Sequence, residues 1–198
     1  MPPETSVRFY GRQECRPYSR KSGRVGMRNE YTRKNSLRLQ GYDYSRPGYY
    51  FVTICAKNGE PFFGEIRDNQ MMLNDHGEVA ITELRKTGEM TNIGLDCFVV
   101  MPNHVHLVAV IASDPGGKNA APTARAKQRI PVMVQNYKAA VSRMLNFSPW
   151  HRSYYDEIIK TQERFECICT YVAQNPGRWG NDRLHPNNFE EYLRKHPL

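Results

Sequence analysis

The chain predicts an α+β fold of the ferredoxin-like, split βαβ kind: a four-stranded antiparallel sheet, two crossing helices and an added C-terminal helix. Three observations lead there. Short runs rich in β-branched and aromatic residues recur along the 198 residues, which marks buried strands. Stretches of helical period with capping residues stand between them. The order is strand, helix, strand, strand, helix, strand, helix, and in that order four strands and two crossing helices form a split βαβ unit. A generic α+β sandwich is the alternative reading.

The first strand is residues 49–56 (YYFVTICA), entered through the turn-rich Tyr42-Asp43-Tyr44-Ser45-Arg46-Pro47-Gly48. Residues 61–73 hold two short apolar runs around Asp68-Asn69 and predict a small hairpin appended to the core. Asn74 or Asp75 caps a helix to about Glu89, with Val79, Ile81, Leu84 and Met90 turned inward, and Gly94 ends the unit. Residues 97–101 and 104–111 are strands joined by Pro102-Asn103, two strong turn formers, so they predict an antiparallel hairpin. Residues 113–129 are Pro/Gly/Ala-rich and basic, a flexible loop within one domain. Pro131 suits the first turn of a helix to about Leu145, with Val134, Tyr137, Val141, Met144 and Leu145 inside. Residues 150–160 read as a loop entering the fourth strand. Thr161 then caps a last helix to Asn175, ended by Pro176-Gly177 and carrying the stripe Phe165, Ile168, Cys169 and Val172.

Composition narrows the class of function. No run approaches the roughly 20 apolar residues that span a bilayer, and the amino terminus carries no apolar signal segment, so the expectation is a cytoplasmic protein. Five cysteines without a CxxC pair fit reduced thiols, and the CxC of Cys167 and Cys169 on a helix fits core packing. Lys and Arg number 28 against 20 acids, a net +8. Residues 1–40 hold ten basic side chains and three acids, so +7 of the +8 belongs to an arm. That arm interleaves arginine with Phe9, Tyr10, Tyr18 and Tyr31, a composition suited to phosphate contact and base stacking. A solubilising tail is the plainer reading. The domain organisation expected is an arm over 1–40, one domain over 41–185 and a tail over 186–198.

Two places carry residues suited to chemistry. His104 and His106 stand two apart in a strand, so both imidazoles share a face, the geometry of a metal-binding pair. Two ordinary buried histidines fit the same spacing, and the pattern alone leaves both readings open. On the last helix Tyr171 and Asn175 are four apart and stack on neighbouring turns beside the apolar stripe. An interface tyrosine beside a C-terminal Asn is the equal alternative.

Taken together, Tyr42-Asp43-Tyr44-Ser45 before YYFVTICA, then Val100-Met101-Pro102-Asn103-His104-Val105-His106-Leu107, then Trp150-His151-Arg152-Ser153-Tyr154-Tyr155-Asp156, then Tyr171 with Asn175-Pro176, resemble the REP-associated tyrosine transposases of the HUH single-tyrosine nuclease superfamily. The resemblance runs from about residue 34 to 185 in the family's order. The longer Arg-rich arm before residue 34 and the Ala/Pro-rich loop at 113–129 depart from it.

The resemblance implies a single-strand DNA endonuclease and strand transferase. It would cleave and rejoin DNA at hairpins of repetitive extragenic palindromes, next to a guide tetranucleotide, through a covalent 5'-phosphotyrosine. Tyr171 becomes the nucleophile; His104, His106 and Asn175 become ligands of Mg2+ or Mn2+. Arg33, Lys34, Arg38, Tyr42, Tyr44, Arg46 and Arg152 become DNA-binding residues, although Tyr42 and Tyr44 equally fit a bracing role. Tyr154 and Tyr155 are rival nucleophiles; in a strand they face opposite ways, so only one can reach the histidines. A nucleoid-associated cytoplasmic enzyme, monomer or homodimer, is implied. The alternative is a non-catalytic single-stranded nucleic-acid binding module on an RRM-like sheet.

Overall fold

The computed structural model describes residues 42–113 and 128–188. The basic arm, most of the 113–129 loop and the final ten residues lie outside the described residues, and with them Arg33, Lys34 and Arg38.

The elements follow the expected order: β1 (Gly48–Cys55), β2 (Gly64–Arg67), β3 (Gln70–Leu73), α1 (Asp75–Thr91), β4 (Gly94–Met101), β5 (His104–Ile111), α2 (Arg129–Leu145), β6 (Tyr155–Ile159) and α3 (Gln162–Gln174). The main sheet has the order β4-β5-β1-β6 with every neighbour antiparallel. This is the split βαβ arrangement, with α1 and α2 as its crossovers. β2 and β3 form the separate hairpin, and both turn residues, Asp68 and Asn69, take positive φ (51° and 62°), the backbone that favours Asn and Asp in two-residue turns.

Alternation along β1 and β5 divides the core. Tyr50, Val52 and Ile54 with Val105, Leu107 and Ala109 face α1 and α2, joining Leu84, Ile130, Met133, Tyr137 and Val141. The opposite face carries Phe51 and Val108, covered by Ile168 and Val172 of α3. β5 is thus buried on both faces, which explains its unbroken apolar character apart from the two histidines.

Helix ends follow their caps. The Asn74 side chain accepts from Gly77 N at 3.0 Å, and Thr161 Oγ1 accepts from Arg164 N at 3.2 Å. Gly77 is required by close packing, since a Cβ there would stand 2.2 Å from the Phe63 carbonyl oxygen. Two expected inward residues are corrected: Met90 is 85% exposed and Met144 58% exposed. The inner surface of α1 ends instead on Thr87 and Gly88. Cys167 is disulfide-bonded, which corrects the expectation of reduced thiols throughout.

Candidate active site

The two histidines lie at the start of the central strand β5, on the α3 face of the sheet. In the β1–β5 register Thr53 is opposite His106 and Cys55 is opposite His104. Both imidazoles are 0% exposed. Each has one nitrogen fixed from behind. His104 Nδ1 lies 2.8 Å from Asn103 Oδ1, and His106 Nδ1 lies 2.8 Å from Thr53 Oγ1. The Asn103 amide is itself oriented, because its Nδ2 donates to the Gly59 and Leu184 carbonyls at 2.9 and 2.6 Å. Its Oδ1 must therefore accept the His104 Nδ1 proton, leaving a lone pair on Nε2.

The other side of the site comes from α3 and the segment after it. Arg164 donates through Nε and Nη2 to the two carboxylate oxygens of Glu157 at 2.6 and 2.7 Å, fastening the first turn of α3 to β6. Ile168 and Val172 seat the helix on Phe51 and Val108. Tyr171, one residue before Val172, then has its hydroxyl 3.2 Å from His106 Nε2 and 3.1 Å from Asp182 Oδ2. Its ring meets Phe51 edge-on at a centroid distance of 6.3 Å. Asn175, the C-cap of α3, donates through Nδ2 to Asp182 Oδ2 at 2.9 Å.

Asp182 is the residue that sequence reasoning missed. A six-residue 3-10 turn, Pro176–Asn181, carries the chain back from the end of α3 and delivers Asp182 to the histidines. One ligand atom each from His104, His106 and Asp182 lies within 4.8 Å of the others. Asp182 Oδ1 accepts from Leu184 N at 2.7 Å, which holds the carboxylate in place.

The donor set fits a divalent cation. His104 Nε2 and Asn175 Oδ1 are buried and lack a hydrogen-bond partner, a costly arrangement unless a ligand satisfies them. Burial pushes the His104 imidazole down to about 4, with Asp182 pulling the other way, and pushes His106 well below its ordinary value with help from His104. Both are therefore neutral at neutral pH, the form that binds metal. Two imidazoles and a carboxylate are a donor set of the kind that holds a divalent cation, and Asn175 adjoins them through its hydrogen bond to Asp182.

The remaining sequence-predicted residues divide by face. Tyr155 pairs with Thr53 on the histidine face, while Tyr154 packs into the core beneath α1 and α2. Tyr44 is 2% exposed and donates from its hydroxyl to Asp156 Oδ2 at 2.8 Å. It therefore braces the segment before β1 from within the core rather than facing outward. Tyr42 meets Tyr44 edge-on, and the Arg46 guanidinium sits 6.0 Å from the Tyr42 ring centroid. These three lie before β1, whose first residue is paired with Ile111 at the far end of β5 from His104, so the fold does not bring them to the histidines. Arg152 is exposed in the 151–153 loop, whose carbonyls gather around Lys138 Nζ at 2.8, 3.5 and 2.7 Å.

Among known proteins, no family model matches the chain. Two solved structures are similar in outline. One is a REP-associated tyrosine transposase bound to a REP hairpin, with TM-score 0.49, 12% identity, and coverage of 81% of this chain and 77% of that one. The other is a candidate transposase from Deinococcus radiodurans, with TM-score 0.41, 18% identity, and coverage of 68% and 95%. In sequence, the chain is 33% identical over 168 residues to an uncharacterised protein of Haemophilus influenzae, covering 77% of this chain and 93% of that protein. On that identity and coverage, the chain belongs to the same family as the Haemophilus influenzae protein.

Proposed function

We propose that the protein is a transposase-like single-strand DNA endonuclease and strand transferase acting at REP-type hairpins, with Tyr171 as nucleophile. The observation that carries the reading is the tyrosine hydroxyl lying 3.2 Å from His106 Nε2 and 3.1 Å from Asp182 Oδ2 in a buried site. The motifs shared with the tyrosine transposases support it independently.

A divalent cation held by His104, His106, Asn175 and Asp182 would polarise the scissile phosphate and fix its geometry. The chain's own residues do the rest. A phenol of pKa about 10 is only about one part in a thousand phenolate near pH 7, so Tyr171 needs an acceptor for its proton. Asp182 Oδ2 is that acceptor. The phenolic oxygen bonds to phosphorus, the bond from phosphorus to the 3'-oxygen breaks, and that oxygen leaves as a free 3'-hydroxyl after taking up a proton. The 5'-phosphotyrosine retains the phosphodiester bond energy for rejoining or strand transfer. Phe51 meets the Tyr171 ring edge-on and orients the phenol toward the histidines whenever α3 lies on the sheet.

The binding-module alternative needs an open sheet face on which bases stack. Here one face is covered by α1 and α2 and the other by α3, which favours the enzyme. Its setting would be the cytoplasm, at the nucleoid, as monomer or homodimer; among the described residues no helix is long and apolar enough to cross a membrane. Incubation with a single-stranded hairpin oligonucleotide and Mn2+ or Mg2+ should give a denaturant-stable protein–DNA adduct. Tyr171→Phe should abolish it and chelator should suppress it. An undiminished adduct from Tyr171→Phe would refute the assignment.

A further inference from the structure

The face beneath α3 holds a second group of reactive side chains that the proposed chemistry leaves unused. Pairing between β4 and β5 loses its register between Leu95 and Phe98, the kind of irregularity by which strands re-aim a side chain. Within it Cys97 Sγ lies 2.6 Å from Cys169 Sγ on α3. Neither thiol is in a disulfide, and both are half-buried rather than sealed in the core. Asp96 Oδ1 is 3.9 Å from Cys169 Sγ, so the three together could suggest a metal site. Distance decides between the two chemistries. Thiolates sharing a tetrahedral zinc, at metal–sulfur bonds of about 2.3 Å, stand roughly 3.7 Å apart, whereas disulfide sulfurs stand about 2.05 Å apart. The observed separation is too short for thiolates sharing zinc and lies nearer the second.

The position of the pair gives it a consequence. His104 and His106 have no exposed surface and Asn175 has 1%, so a phosphodiester reaches them only when α3 or the segment after it moves off the sheet. Cys169 is two residues from Tyr171 on that same helix.

We propose that Cys97 and Cys169 form a reversible disulfide, made by exchange with a small-molecule disulfide such as glutathione disulfide, that fastens α3 to β4 and holds the site closed. One thiol, deprotonated, attacks a glutathione sulfur and releases the first glutathione thiolate. The second thiol then attacks the mixed disulfide and releases the other. The two cysteine protons end on the two reduced glutathiones, and the protein has lost two electrons and two protons. Burial holds both thiols above their ordinary values, so exchange is slow at neutral pH and quickens as pH rises. The effect on catalysis rests on Tyr171 as nucleophile; the cross-link does not.

The test uses the full-length protein at oxidising and reducing glutathione ratios, alkylated and digested without reductant. Mass spectrometry should find the Cys97 peptide joined to the Cys169 peptide under oxidising conditions, in wild type and in Cys167→Ser, and not in Cys97→Ser or Cys169→Ser. Amide exchange across α3 should slow on oxidation, and adduct formation with a hairpin oligonucleotide should fall several-fold, recover with dithiothreitol and be insensitive to oxidation in Cys97→Ser. Absence of the cross-link, or stoichiometric zinc retained through dialysis in its place, overturns the proposal. Equal adduct rates from oxidised and reduced protein overturn the closure it invokes. A cross-link with slowed exchange, but no adduct from reduced protein, sustains the disulfide while removing Tyr171 as nucleophile.

Discussion

Asn103 does three things with one amide: its oxygen orients His104, and its two N–H groups hold the carbonyls of Gly59 and Leu184. Leu184 is two residues from Asp182, so the same side chain supports both halves of the candidate metal site. Asn103→Ala should weaken Mn2+ affinity by about 10- to 100-fold, as loss of an orienting partner does. It should also lower stability by roughly 1–3 kcal/mol for each buried carbonyl left without a donor. Asn103→Asp keeps an acceptor for His104 but loses the donors, so calorimetry should recover part of the affinity while urea unfolding stays weakened. Equal affinity in all three proteins would remove Asn103 from the site. The histidines make a second prediction. In the metal-free protein, an unfolded imidazole of pKa about 6.5 takes up a proton as pH falls, while folded His104, held near 4, does not. Its contribution is fully present above about pH 6.5 and is lost progressively toward pH 4, a span worth on the order of 3 kcal/mol. Urea midpoints of metal-free protein should therefore drop between pH 7 and pH 5, a range in which ordinary carboxylates stay ionised. A flat profile would contradict two buried neutral imidazoles. At this scale the HxH pair was legible because a period of two is a property of any strand. Asp182 was not: it follows a 3-10 turn with no apolar period, and only the tertiary return of the chain brings it to His104 and His106.

Among the elements, α3 matters most, since its seating sets where Tyr171 points. Its stripe, spaced 0, 3, 4 and 7, and its Thr161 cap were both readable, and the helix runs Gln162–Gln174 as those signals require. Thr161→Ala should cost about 1 kcal/mol in urea unfolding, the usual value for a lost N-cap. Because α3 carries the proposed nucleophile, the same variant should lower the rate of adduct formation more than it lowers DNA affinity, a split that a merely global loss of stability does not produce at a temperature where the protein stays folded. Unchanged unfolding would show the cap to be idle. The other two helices were legible in extent and less so in facing. Reading Met90 as inward followed hydrophobicity, but one turn beyond Leu84 the inward positions are Thr87 and Gly88, where a Cβ on Gly88 would come within 3.1 Å of the Ile93 carbonyl oxygen and 3.2 Å of Leu95. The close approach of helix to strand selects small residues there, and an apolar pattern cannot reveal a contact made by their smallness. Met144 errs differently: it continues the α2 stripe, yet beyond Val141 it is Leu145 that packs against the core while Met144 is exposed.

For the whole molecule, strand order came through because each crossover carries a helix of clear period and each strand has its own apolar run, so few ways of closing the sheet remained. What the order does not convey is how charge is shared between residues 1–40 and the rest of the chain. Residues 41–198 carry 18 basic and 17 acidic side chains, too even a balance to attract nucleic acid by long-range field alone. Residues 1–30 carry seven basic side chains and three acids, so deleting them takes the net charge from +8 to +4. If those side chains meet phosphates, each phosphate no longer neutralised takes about 0.7 from the slope of log affinity against log salt on a single strand. The truncated protein should then bind a hairpin oligonucleotide more weakly at low salt, with a visibly flatter slope, and converge on the full-length protein as salt rises. Adduct formation at saturating DNA should be unchanged, because His104, His106, Tyr171, Asn175 and Asp182 all lie in the body. Fluorescence anisotropy across a salt series, paired with denaturing gels at saturation, separates the two effects. An unchanged slope would reduce the arm to a solubilising tail, and a lost adduct at saturation would place part of the catalytic machinery within residues 1–30.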